Sequence, residues 1–86
     1  MPEVSRFFGI VIRLHYADHN PPHFHATYQG GTVEVDIRTL ELMEGTISPR
    51  ALGLVLEWAW LHQDELLEAW RQAAAGEPIA KISPLP

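Results

Sequence analysis

His23-Phe24-His25-Ala26-Thr27-Tyr28-Gln29, then Gly30-Gly31, then Thr32-Val33-Glu34-Val35-Asp36-Ile37-Arg38, is two alternating segments hinged on a pair of glycines. Successive side chains on a strand point to opposite faces, so this period of two predicts a half-buried hairpin. Phe24, Ala26 and Tyr28 share one face with Val33, Val35 and Ile37. His23, His25, Thr27 and Gln29 share the other with Glu34, Asp36 and Arg38. Gly30-Gly31 supplies the two-residue hairpin signal.

Upstream, residues 7–16 (Phe-Phe-Gly-Ile-Val-Ile-Arg-Leu-His-Tyr) are rich in the β-branched and aromatic residues that suit a strand. Phe8, Ile10, Ile12 and Leu14 form its apolar side; Arg13 and His15 lie on the opposite one. Antiparallel pairing with the second strand then brings Arg13 and His15 beside His23 and His25. A weaker strand, Leu40 to Met43, ends the meander before Gly45.

Downstream the period changes to 3.6. Ser48 is a good N-cap, Pro49 suits the first helical position, and Gly76 with Pro78 beyond it stops the helix. Leu52, Val55, Leu56, Ala59, Leu66, Leu67, Trp70, Ala73 and Ala74 form one stripe expected to cover the apolar sheet face. A break near residues 62–64 is conceivable, but the phase is kept, which favours one long helix. The fold expected is therefore α+β: a three- to four-stranded antiparallel meander over about residues 5–44, and one helix over about 49–75 packed on one sheet face. Residues 77–86 form an extended tail, and residues 1–86 make a single small domain.

Leu54, Trp58 and Leu61 form a second apolar stripe at i, i+4, i+7. Either Ile79, Ile82 and Leu85 fold back over it, or it is a contact for a second copy or another small protein, with Trp58 as its anchor. The acidic line Glu57, Asp64 and Glu68 reads as solvated surface. His62, at the edge of the core stripe, reads as a packed helix residue rather than a ligand.

Composition narrows the function classes. The 86 residues carry a formal charge of −5 and no cysteine. That excludes disulfides and thiolate metal sites and disfavours a broad phosphate-binding surface, so nucleic acid is not a favoured partner. The N-terminal residues lack a secretory signal, and no apolar run reaches membrane-spanning length, which together predict a cytoplasmic protein.

Chemistry concentrates between residues 15 and 25. His15, Asp18, His19, His23 and His25 lie in or beside a turn stiffened by Pro21-Pro22, and imidazole is both the commonest metal ligand and a near-neutral acid–base. Three readings stay open. The face simply meets water, with Asp18 and Asn20 bonding their local backbone. Alternatively, His15, His23 and His25 with Asp18 and His19 hold a divalent metal such as zinc, for binding or for metal-dependent hydrolase or nuclease chemistry. Thirdly, paired histidines with Asp18 and Arg13 do metal-free acid–base work such as phosphodiester cleavage, one imidazole accepting and the other donating a proton. Covalent catalysis has little support, since Ser48 is committed to a cap and no phosphate-cradling glycine loop precedes the helix.

The segments Arg6-Phe7-Phe8-Gly9-Ile10-Val11-Ile12, Asp18-His19-Asn20-Pro21-Pro22-His23-Phe24-His25 and Leu56-Glu57-Trp58-Ala59, with His62, Glu65-Leu66 and Trp70, carry a likeness. Across nearly the whole chain they resemble a small bacterial family catalogued as domain of unknown function 4160. The resemblance implies an association with toxin–antitoxin-like gene pairs, and hence a partner protein. It supplies no catalytic residue.

Overall fold

The computed structural model describes residues 2–86. Five strands form one antiparallel sheet in chain order: β1 (Glu3–Phe7), β2 (Ile10–Arg13), β3 (His23–Tyr28), β4 (Gly31–Asp36) and β5 (Leu42–Gly45). Two helices follow, α1 (Pro49–Leu61) and α2 (Gln63–Ala74).

The class expected from the sequence holds, with two corrections. The expected first strand is two strands. Phe8 (φ +49°) and Gly9 (φ +80°) both adopt left-handed backbone, as the central residues of a type I′ turn do, and so fold residues 3–13 into a hairpin. Phe8 therefore leaves the core face and is 61% exposed. The next hairpin turns in the same way at Gln29 (φ +47°) and Gly30 (φ +83°), one residue earlier than Gly30-Gly31, and Gly31 pairs with Tyr28. The alternation survives this change, because Phe24 stands opposite Val35, and Ala26 opposite Val33.

The single helix is the second correction. Ser48 caps α1 as expected, its Oγ accepting from the Ala51 N–H, but the helix ends at His62, whose backbone (φ −121°) leaves the helical range. Neither proline nor glycine marks this break. Its cause is tertiary: the Gln63 side-chain amide donates to the carbonyls of Ile37 (2.7 Å) and Arg38 (3.0 Å), fastening the start of α2 to the end of β4.

The helical face turned to the sheet is also rotated from the expected stripe. Ala51, Val55, Trp58 and Ala59 are buried on α1, and Leu66, Ala69 and Ala73 on α2, while Leu52, Leu56, Leu67 and Trp70 are only partly covered and Ala74 is exposed. Trp58 sets this rotation. It is fully buried, 5.5 Å from the Phe7 ring and 5.9 Å from the Phe24 ring between centroids. Burying the largest apolar side chain outweighs a neater stripe, provided the indole N–H finds an acceptor. It finds the Ser83 carbonyl at 2.8 Å.

Trp58 is thus a core residue, not the anchor of an exposed contact stripe. Leu54 is partly buried, and only Leu61 is exposed (57%). The covering segment is the tail, whose Ile82 and Leu85 are buried and whose Ile82 N–H bonds the Val4 carbonyl along the free edge of β1. No described helix is long and apolar enough to cross a membrane.

Candidate metal centre

The register fixes one face of the sheet. Arg13 of β2 stands opposite His25 of β3, His25 opposite Glu34 of β4, and His23 opposite Asp36. Directly opposed residues project to the same side, so Arg13, His23, His25 and Glu34 share the face away from Phe24, Val33 and Val35. The segment from His15 to Pro22 leaves the end of β2 and returns at His23, carrying Asp18 over this face. The Asn20–Pro21 bond is cis.

Asp18 is the centre of the arrangement. Its Oδ2 lies 3.0 Å from His23 Nε2, 3.3 Å from His25 Nε2 and 3.9 Å from His15 Nδ1. His15 stacks on His25 with ring centroids 3.8 Å apart and planes 5° from parallel. Glu34 Oε1 approaches His23 Nε2 at 3.5 Å. Two overlapping triads, His15–Asp18–His25 and His23–His25–Glu34, each hold three ligand atoms within 4.8 Å of one another. Tetrahedral zinc with bonds of about 2.0–2.2 Å sets its ligands roughly 3.4 Å apart, so small side-chain movements suffice for coordination.

His23 is held as a ligand would be. It is 95% buried, its ring leans on the Trp70 indole at 5.3 Å, and its Nδ1 lies 2.8 Å from the Pro21 carbonyl. A carbonyl oxygen only accepts, so Nδ1 carries the hydrogen, and Nε2 is the nitrogen turned toward Asp18 and Glu34. Orientation of one imidazole nitrogen by a backbone carbonyl is the usual outer support of a metal-bound histidine. His15 lacks such support: its Nδ1 faces Asp18, and its Nε2 is buried without a hydrogen-bond partner.

Electrostatics follow from the crowding. Burial pushes the Asp18 carboxyl up, but the His19 backbone N–H and the nearby His25 and His23 rings outweigh it and hold the group below its ordinary range. Burial, then the neighbouring His25, pushes His15 below its ordinary value, with Asp18 only partly opposing.

The five residues expected to form the site divide four to one. His15, Asp18, His23 and His25 converge. His19 does not bring its ring: the residue is exposed, belongs to neither triad, and contributes its backbone N–H to Asp18 Oδ1 at 2.8 Å. Its neighbour Asp18 points inward, so the ring of His19 turns to water. Glu34 belongs to a triad, and its signal was its place on the histidine face of the alternating strand. Trp70 gave no such signal, because its contact with His23 depends on where α2 docks. Asp36, on the same face, spends its carboxylate on the N–H groups of Arg38 and Thr39. His62 stays outside, bonded to Glu65 at 2.6 Å and packed against Trp58.

No curated protein and no solved structure matches the chain. One family model matches, that described as Domain of unknown function (DUF4160), over residues 9–71, a span that contains every member of both triads. With that match over most of its length, the chain belongs to the DUF4160 family.

Proposed function

We propose that the protein binds a divalent cation of the zinc type through His23, His25 and Asp18, with His15 and Glu34 completing the donor set. The observation that carries this reading is the His23 ring. Its Nδ1–H is committed to Pro21, which leaves Nε2 aimed at Asp18 Oδ2 at 3.0 Å and Glu34 Oε1 at 3.5 Å, the place where a cation shared by these groups would sit. The donor set of imidazole nitrogens and carboxylate oxygens suits zinc and related ions. With only His23, His25 and Asp18 bound, a four-coordinate ion would keep its fourth position for water, and hence for hydrolytic chemistry. Calorimetric titration of the chelator-stripped protein with zinc tests the reading. Saturable uptake of one ion at micromolar protein is expected; silence there removes it.

A second reading concerns partners. Trp60 is 69% exposed and adjoins exposed Leu61 at the end of α1, a pair of large apolar side chains that a docking protein would cover. Together with the resemblance noted in the sequence, this supports an interaction module of a toxin–antitoxin-like pair in the bacterial cytoplasm, its partner another small protein or a second copy. Trp60 takes the anchor role first assigned to Trp58. Size-exclusion chromatography of the protein with its gene neighbour, compared between wild type and Trp60→Ala, checks it: loss of a wild-type complex is expected, and an unaltered complex removes Trp60 from that role.

A further inference from the structure

We infer that the metal centre recognises a phosphoryl group, with Arg13 as the residue that clamps its oxygens; the inference rests on the metal reading above. Arg13 is the direct cross-strand neighbour of His25 on the shared face. Such neighbours have Cβ atoms about 4.5–5.5 Å apart, which puts a guanidinium within reach of anything bound at His25.

Arg13 also differs from every other arginine in the chain. Arg6, Arg38, Arg50 and Arg71 are exposed, whereas Arg13 is half-buried. Yet among the described residues no carboxylate lies within 4.0 Å of it. Its partner on the other side is Glu3, opposite it across the β1–β2 pair. Glu3 is already engaged by Arg6, through contacts of 2.8 and 3.1 Å. A half-buried cation whose cross-strand carboxylate is taken up by Arg6 is an arrangement that an anionic ligand would relieve.

The chemistry specifies which anion. A guanidinium presents a planar fork that matches two oxygens of a phosphate, and a divalent ion takes a third oxygen. Metal on one side and Arg13 on the other would hold one tetrahedral oxyanion between β2 and the Asp18 loop. The recognised group is therefore a phosphate monoester or diester terminus, read through its oxygens. Extended nucleic acid is not implied, because the acidic chain offers no basic track.

The test uses the full chain loaded with one equivalent of zinc, titrated calorimetrically with inorganic phosphate and, separately, with acetate. Wild type is expected to bind phosphate and to prefer it to acetate. Arg13→Met, which keeps the aliphatic stem, should weaken phosphate by roughly tenfold or more while zinc affinity stays within about twofold. Arg13→Lys should fall between the two, since it keeps charge and loses the fork. Equal phosphate affinity in Arg13→Met, or zinc-loaded wild type that ignores phosphate or prefers acetate, overturns the inference and leaves the metal reading standing. Failure to take up zinc removes both.

Discussion

The indole nitrogen of Trp58 donates a 2.8 Å hydrogen bond to the carbonyl of Ser83, joining the middle of α1 to a tail twenty-five residues further on. The ring beneath that bond touches Phe7 and Phe24, so one side chain links β1, β3, α1 and the tail. Trp58→Ala should cost about 3–5 kcal/mol, a large part of the stability of a domain this size. Trp58→Phe should cost about 0.5–1.5 kcal/mol through loss of the hydrogen bond, plus a smaller packing penalty. Urea denaturation followed by intrinsic fluorescence measures both. A charged residue at Trp58 is expected to unfold the protein rather than detach a partner.

Trp60, two residues on, provides the contrast. Its exposure predicts that Trp60→Ala changes unfolding free energy by no more than about 0.5 kcal/mol. The same denaturation experiment checks this. Any loss of complex formation in that variant then reports contact and not collapse.

Phe8 holds an unfavourable position for its type. A bulky residue with φ of +49° is strained, and its ring gains little burial in return. Asn is the favoured residue at the first central position of such a turn. Phe8→Asn should therefore raise stability by about 0.5–1 kcal/mol, read as an increase in denaturation midpoint. A fall would show that the exposed ring contributes more than its surroundings indicate.

For the metal centre, Asp18→Asn removes the carboxylate that three imidazoles approach. It should weaken zinc binding by at least roughly tenfold in calorimetry. His62→Ala should leave zinc affinity unchanged, because His62 is paired with Glu65 outside both triads.

The pH dependence of the metal-free protein follows from His15 and Asp18. Both groups lie below their ordinary values in the fold, so the unfolded chain binds their protons first as pH falls. Stability then rises with pH through each window. For His15 the contribution is present above about 6.5 and is lost as pH drops from there toward the folded value. For Asp18 the loss begins near its unfolded value of about 3.9 and runs lower. Thermal melts in chelator across this range should show a shallow decline beginning in mild acid. His15→Asn should flatten its upper part.

Much of this was legible in the residues. Phe24, Ala26, Val33 and Val35 alternate with His23, His25 and Glu34, and the register puts each set on one face as the alternation requires. Ser48-Pro49 announces the start of α1 because capping is a local matter of one side chain and one N–H. What escaped was not local. Phe8-Gly9 is a turn because β2 must return beside β1, and phenylalanine is a poor advertisement for left-handed backbone. The break at His62 follows from Gln63 reaching Ile37 and Arg38, twenty-six and twenty-five residues away. For Trp58 the residues leave two readings open, an exposed contact or cover by the tail, and the structure takes the second, with Ile82 and Leu85 buried and the Ser83 carbonyl on the indole.

The seam between Val4 and Ile82 bears on how the protein is made. The strands precede the tail in the chain, so Trp58 of α1 lacks its Ser83 hydrogen bond until residues 82–85 have left the ribosomal tunnel. Contacts so distant along the chain form slowly. Nascent intermediates would therefore display one greasy indole and one unpaired strand margin together, the combination that chaperones recognise.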